Sequence, residues 1–428
     1  MVSRMPNSRF RAEIPVSWIY QISWLILTGG FLFVSRLPDL LVIGQYGSIA
    51  LALAVVVLLE KSVYWKNQAW LLYVSLVIWA VVIVPISPRP DLALSGAYTM
   101  LGIAVLWYAS HRIIMNVRSI SFAVAIFLVA FLAQGSYGLV SGDFTEMGMA
   151  EQRIAGALGN PNSFGFQMLY GALGALFLLA LNRWGRIPVT LIWIIFGFFI
   201  LMMIFSGSRK TAIAAAIVLA LILALVLRRH LQNLILVIVF GSIAGWIFME
   251  LGVIGLSFLE SNFILRDRFE EELFGRGVEA RSQIIFLSLS AGLSHFPFGL
   301  GVTVIQDSTI YGRNPHNVFV DLLVSMGVVG LVLWTLILFL TLRLALRLYR
   351  EKVTQSVGAV YLAFLLGFMI LGLGSHQYYA PHTMFAFIVF NSLAMRVRRD
   401  WLAQSALQQS LVDRKGLQLY PVDWRRAP

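Results

Sequence analysis

Along the chain, charged and polar side chains come in short bursts, and between the bursts lie apolar runs long enough to cross a bilayer as helices. Twelve such runs fall near 16–34, 40–59, 69–86, 92–110, 120–140, 163–181, 188–206, 211–227, 233–256, 318–342, 357–374 and 381–395. A membrane β-barrel needs shorter segments alternating apolar and polar, and these runs are continuously apolar. The first run is too long for a signal-peptide core and is read as a span. The pattern predicts an all-α polytopic membrane protein with about twelve transmembrane helices.

Most connections are short, as between antiparallel neighbours. Two are not: "SGDFTEMGMAEQRIAGALGNPN" from Ser141 to Asn162, and a longer stretch from Ser257 to Asn317 between the ninth and tenth runs. The organisation predicted is helices one to nine over 1–256, a large loop over 257–317, helices ten to twelve over 318–395 and a basic tail over 396–428. Within the large loop, residues 263–287 have Phe, Leu and Ile at helical spacing among charges, which predicts surface amphipathic helices. Residues 284–301 are apolar but contain Pro297 and several glycines. They suit a segment embedded beneath protein better than another span.

Composition agrees: 59% of the 428 residues are hydrophobic and 12% charged. The formal charge of +12 does not point to nucleic acid, because its distribution is topological. With a cytoplasmic amino terminus, 22 of the 32 Lys and Arg residues fall inside and 10 outside, the sense of the positive-inside rule. Both long loops then face outward, and the tail lies against membrane lipid headgroups. There is no cysteine, hence no thiol nucleophile, disulfide or cysteine metal site.

The candidate chemistry collects on the outer face. "YGRNPHNVFVDLL" opens the tenth run with His316 and Asn317, three positions after Arg313. An imidazole with a pKa near about 6.5 can take a proton from a hydroxyl at neutral pH. The plain alternative is a histidine at a helix entrance with Asn317 as its N-cap. Asp321 is one turn further on, where a hydrogen bond back to the helix entrance is expected. Arg209 and Lys210, in "FSGSRKTA", top a helical hairpin and begin the eighth run, where free backbone N–H groups and the positive dipole end also face outward. A guanidinium stabilises such an end poorly, but the two together suit an anion with phosphate oxygens. Arg276 and Arg281, in "GRGVEARSQIIF", stand in the large loop, where surface ion pairs are the ordinary reading. Arg36, Arg89, Arg153, Arg266 and Arg268 complete the outer arginines. His376 and His382 share the last outer loop with Tyr378 and Tyr379, expected to form an interfacial aromatic belt. No phosphate loop, Asp-x-Asp pair or HExxH motif is present.

His316, Asn317, nine residues, Gly327, two residues and Gly330 resemble the H-[NSQ]-x9-G-x-x-G pattern of the bacterial O-antigen ligases, within the wider ligase and polymerase superfamily. "GNPNSFGFQM" (159–168), "SGSRKTA" (206–212) and "HFPFGLG" (295–301) resemble further family segments in family order, so the likeness covers about 150–345. It implies twelve helices with a large periplasmic loop between the ninth and tenth, in a bacterial inner membrane. It also implies an inverting, metal-independent and cofactor-free glycosyl transfer. The donor would be a glycan on undecaprenyl diphosphate, and the acceptor a sugar hydroxyl of lipid A–core. His316 matches the family's base, and Arg209 and Arg281 match its diphosphate arginines. Lys210, Arg153, Arg276, Arg313 and Asn317 are the remaining candidate substrate contacts. An O-antigen polymerase using the same donor, a protein-glycosylating relative, and a secondary transporter are the alternatives. Transporters place coupling charges near mid-membrane and often show repeated halves, and the chain has neither, apart from Asp321 near one end of its span.

Overall fold

The computed structural model describes residues 10–32, 40, 43–59, 67–140, 144–146, 152–154, 160–181, 188–227, 277–307, 315, 317–375 and 377–415. Its α-helices are α1 (Phe10–Leu32), α2 (Ser48–Leu59), α3 (Gln68–Ile83), α4 (Pro90–Asn116), α5 (Ile120–Val140), α6 (Pro161–Leu181), α7 (Val189–Phe205) and α8 (Arg209–Leu227). They continue with α9 (Gly277–Leu293), α10 (Val318–Arg350), α11 (Gln355–Gly372) and α12 (Pro381–Lys415). Eleven of the twelve apolar runs therefore fall on described helices, and the run at 233–256 lies outside the described residues. Among the described residues, six helices are long and apolar enough to cross a membrane. Large apolar side chains such as Leu58, Val82, Ile194 and Phe339 stand exposed on the flanks, a surface suited to hydrocarbon rather than water. The chain is a multi-pass helical membrane protein.

Helix starts follow local chemistry. Asn67 caps α3 by accepting from Trp70 N (3.1 Å). Asn160 accepts from the backbone N–H groups of Asn162 (2.9 Å) and Ser163 (3.3 Å), with Pro161 as the first helical residue of α6. Asn317 caps α10 through Phe319 N (3.0 Å) and Val320 N (3.3 Å).

The centre of the bundle is aromatic. Phe364 of α11 stacks on Phe390 of α12 at 4.1 Å, and Phe368 lies 4.9 Å from Phe387. Almost every residue of α6 from Phe164 to Leu178 is buried, which explains its apolar side chains on all sides.

Three expectations change. A short antiparallel hairpin, β1 (Phe144–Glu146) with β2 (Gln152–Ile154), lies in the first of the two long loops, so the described fold is not purely helical. Residues 277–293 form one continuous helix where the sequence predicted a change of character near 284–287, because the hydrophobic spacing carries on unbroken to Leu293. The change at 395 between span and tail is not a structural break either, since α12 runs on to Lys415. There Arg396 pairs with Asp400 one turn on (2.8 Å) and donates to the carbonyls of Ile114 (3.1 Å) and Met115 at the end of α4.

The tenth helix is broken. Gly327 has φ 64° and ψ −162° inside α10, a conformation essentially confined to glycine. After α9 the chain turns through 294–301 and lays its backbone against this break. Val328 N donates to the Pro297 carbonyl (3.1 Å), Leu300 N to the Val324 carbonyl (2.9 Å) and Gly301 N to the Ser325 carbonyl (2.8 Å). The Trp79 indole N–H takes the Met326 carbonyl (2.7 Å). The backbone groups released by the break are thus satisfied by protein, the condition for irregular backbone inside a membrane fold. Of the 284–301 stretch expected to be embedded beneath protein, only 299–301 is continuously buried, while Leu293, Phe296 and Phe298 stand exposed; the docking is made by backbone. It also accounts for the spacing of "HFPFGLG" and the first glycine of the motif: a β-carbon on Gly327 would overlap the Pro297 carbonyl oxygen and lie 2.7 Å from Phe298 C.

Candidate active site

The starts of α6, α8 and α10 and two turns, α7–α8 and α11–α12, meet at a single end of the bundle. The start of α6 packs on the α7–α8 turn so closely that a β-carbon on Gly165 would fall 2.7 Å from both Ser206 Oγ and Thr211 Oγ1. That turn needs Gly207 at φ 56°. It is closed by Ser208, whose backbone N donates to Ser206 Oγ (3.2 Å) and whose hydroxyl oxygen accepts from Thr211 Oγ1 (2.8 Å). Arg209 is the first residue of α8, as the sequence predicted. Lys210 Nζ donates to the Gly374 carbonyl (2.9 Å) in the turn between α11 and α12. Two residues earlier, a β-carbon on Gly372 would stand 3.1 Å from Val318 Cγ1, at the start of α10. One turn, 372–377, therefore touches both the start of α8 and the start of α10.

Two further bonds hold the residues that follow this turn. Gln306, in the segment that docks on the break, donates to Tyr379 Oη, and Tyr73 Oη donates to the Tyr378 carbonyl (2.8 Å). Tyr378 and Tyr379 are buried, so the expected interfacial belt is wrong. The two rings are internal packing at 4.8 Å, and burial, with Asp321 close by, holds the Tyr378 phenol well above its ordinary pKa. Asp321 is buried and accepts from Ser325 Oγ (3.2 Å), one turn forward. The expected side-chain bond back to the helix entrance is replaced by this one, because the carboxyl faces Ser325 and Tyr378 inside the bundle. Only the Asp321 backbone N–H reaches back, to the Asn317 carbonyl (2.8 Å).

The remaining predicted residues are placed as follows. His316, Arg276 and Arg313 lie outside the described residues, as do Arg36, Arg266, Arg268 and His376. Asn317 immediately follows His316 and is the N-cap, so its Oδ1 is committed to α10. Arg281 lies in α9, whose far end packs on α10 where Gly292 faces Val324. Eleven residues separate Arg281 from that contact, ~16 Å of helix, and no described contact brings it to Lys210. Arg153 lies in β2, opposite Thr145, and β2 packs against α6. Arg89 is a paired residue: it bonds Asp91 (3.0 Å) and Asp307, and the Asp91 carboxylate, aided by Asp307, raises its pKa further. His382 packs its ring 4.9 Å from that of Phe31.

Sequence reasoning missed the 372–377 turn and Gly165. Both depend on contacts between distant segments, and only the small residues at 165, 372 and 374 hint at close approach.

The fold and this site define a polytopic helical membrane protein with Lys210 and several helix ends gathered at one end. Residues 194–335 match the family model described as O-Antigen ligase, a segment running from α7 through the motif of α10. That segment, about a third of the chain, is similar to the O-antigen ligase family. The match includes Arg209, Lys210, Arg276, Arg281, Arg313, His316 and Asn317, and leaves out Arg153. No curated protein matches the chain.

Proposed function

We propose that the protein transfers an O-antigen glycan from undecaprenyl diphosphate to a sugar hydroxyl of lipid A–core, with inversion. The reaction takes place at the periplasmic face of a bacterial inner membrane, in a chain of about twelve spans. The observation that carries this reading is the 372–377 turn, which touches the start of α8 through Lys210 and the start of α10 through Val318.

Arg209 and Lys210 stand in the first turn of α8, whose positive dipole end adds to their charge. Such a site suits the lipid diphosphate, whose negative charge grows as it leaves. Preorganised cations stabilise that charge without a metal ion. By its match to the family pattern Arg281 of α9 is assigned to the diphosphate as well, and Arg276, Arg313 and Arg153 are assigned to the glycan-bearing end of the donor. His316, one residue before the N-cap Asn317 of α10, takes the proton of the acceptor hydroxyl. The hydroxyl oxygen attacks the anomeric carbon from the face opposite the diphosphate, the carbon–oxygen bond to the diphosphate breaks, and the lipid diphosphate departs. No cofactor enters the step.

The test is transfer by purified protein given lipid-linked glycan and lipid A–core, with chelator present. His316→Ala is expected to lose ~10²–10⁴-fold and Arg209→Ala ~10²–10³-fold, both with normal insertion. Full activity in His316→Ala removes the base, and a requirement for divalent metal removes the arginine account. In a deletion strain, bare core with accumulating lipid-linked polymer supports ligation. Core carrying a single repeat assigns the chain to polymerisation instead.

A further inference from the structure

The end of the bundle far from the 372–377 turn holds a separate concentration of charge. Arg343, Arg347 and Arg350 recur at helical spacing and form one exposed stripe down the last two turns of α10. α12 packs on α10, and Arg347 meets the like charges of Arg343 on its own helix and of Arg398 on α12. Arg396, two residues before Arg398, is turned the other way, donating to the Ile114 and Met115 carbonyls of α4. Two residues are ~200° of a helix, so Arg398 faces away from α4 and onto the α10 side. Three like charges on two packed helices repel one another, more strongly beside hydrocarbon than in bulk water.

Among the described residues no carboxylate relieves Arg343, Arg347 or Arg398. Asp400, the acid closest to Arg398 in sequence, is held by Arg396 (2.8 Å) and Arg399 (3.0 Å). Glu351, just past α10, is exposed and pairs with none of the three. Residues 411–428 hold Arg414, Lys415, Arg425 and Arg426 against Asp413 and Asp423, a further surplus of positive charge. The negative end of the α10 dipole accounts for Arg347 and Arg350 in its last turn. It does not account for Arg398, which stands in the middle of α12.

The surroundings select a lipid. Val332, Leu336 and Phe339 continue the arginine stripe toward the bilayer centre, and all three are exposed, giving acyl chains a strip to lie on. With the start of α10 at one interface, Arg343 is twenty-five residues or ~37 Å along the helix. That is beyond the ~30 Å of hydrocarbon and within the ~40–45 Å that includes the headgroups. The guanidiniums therefore stand at phosphate depth, and their planar forks match phosphate oxygens.

We propose that Arg343, Arg347 and Arg398 bind an anionic phospholipid, its phosphates seated between α10 and α12 and its acyl chains on the Val332–Leu336–Phe339 strip. Three fixed positive charges favour a lipid with two phosphates, such as cardiolipin, over one with a single phosphate. The assignment is independent of the glycosyl-transfer reading. Native mass spectrometry of the full chain, offered cardiolipin, phosphatidylglycerol or phosphatidylethanolamine, reads the bound lipid directly. Wild type is expected to retain cardiolipin best and phosphatidylethanolamine least. Arg398→Gln is expected to lower cardiolipin occupancy ~10-fold, while Arg118→Gln, which removes an exposed arginine at the α4–α5 turn, leaves it unchanged. Equal loss in the two variants reduces the effect to general charge attraction and overturns the site, and so does unchanged binding in both. If Arg398→Gln fails to insert, Arg347→Gln carries the same expectation. Inorganic phosphate, offered alone at millimolar concentration, is expected to bind wild type no better than Arg398→Gln. Phosphate binding that depends on Arg398, with no cardiolipin retained, gives the site to the free anion and refutes the lipid.

Discussion

Replacing Gly327 with alanine puts a β-carbon where the Pro297 carbonyl oxygen already sits, at backbone angles that non-glycine residues essentially never adopt. The conformational cost alone is ~1–3 kcal/mol. The steric overlap cannot be relieved by a rotamer, because the opposing atoms belong to backbone. The 297–301 segment must withdraw, taking with it the hydrogen bonds to Val328 N, Val324 O and Ser325 O. At ~1 kcal/mol net for each, the whole effect is about 4–6 kcal/mol, a large fraction of a typical fold's stability. Gly197→Ala is the matched control, since its β-carbon meets nothing within 4 Å and alanine favours the helical state. Thermal unfolding of detergent-solubilised protein should show Gly327→Ala well below wild type and Gly197→Ala at or above it. Limited proteolysis should open 294–307 only in the former. Equal transition temperatures for the two variants, with no new cleavage, refute a broken α10 held by the Pro297 carbonyl.

Other expectations follow from single contacts. Lys210→Met removes a charge-assisted bond to the Gly374 carbonyl and a cation from the proposed diphosphate site; the KM for lipid-linked donor should rise ~10–100-fold with little change in acceptor KM. Trp79→Phe leaves the Met326 carbonyl without its indole donor and should cost ~1–3 kcal/mol in unfolding, with transfer kinetics per folded molecule unchanged. Chelator at millimolar excess should leave the rate of glycan transfer unaltered, whereas restoration by added magnesium would reassign the leaving-group chemistry to a metal.

Much of the helical framework could be read from hydropathy, because a span must be continuously apolar and its ends are set by capping side chains close in sequence. Asn317 and Arg209 were therefore located at helix starts from local pattern alone. The break at Gly327 was not legible: the run from 318 to 342 stays apolar through it, and what opens the helix is a carbonyl from a segment thirty residues earlier. Tyr378 and Tyr379 illustrate the same limit. Tyrosines beside a predicted interface fit a lipid-facing belt, yet here tertiary partners, Tyr73 and Gln306, draw them inside. The short β1–β2 hairpin carries no clear alternation, and its strands are three residues each, too short to stand out from loop sequence. Pairing among the outer arginines was equally hidden, as Arg89 shows by binding a carboxylate 218 positions away.

The central claim is that one imidazole and the cations of α8 face a common space on one side of the membrane. The chain contains no cysteine, so Arg209→Cys and His316→Cys can be introduced together without other changes. With a short bifunctional maleimide on intact inner-membrane vesicles and on spheroplasts, the pair should cross-link, and a membrane-impermeant thiol reagent should reach both positions only from the periplasmic side. Cysteines that never link, or that label from opposite sides, contradict the account.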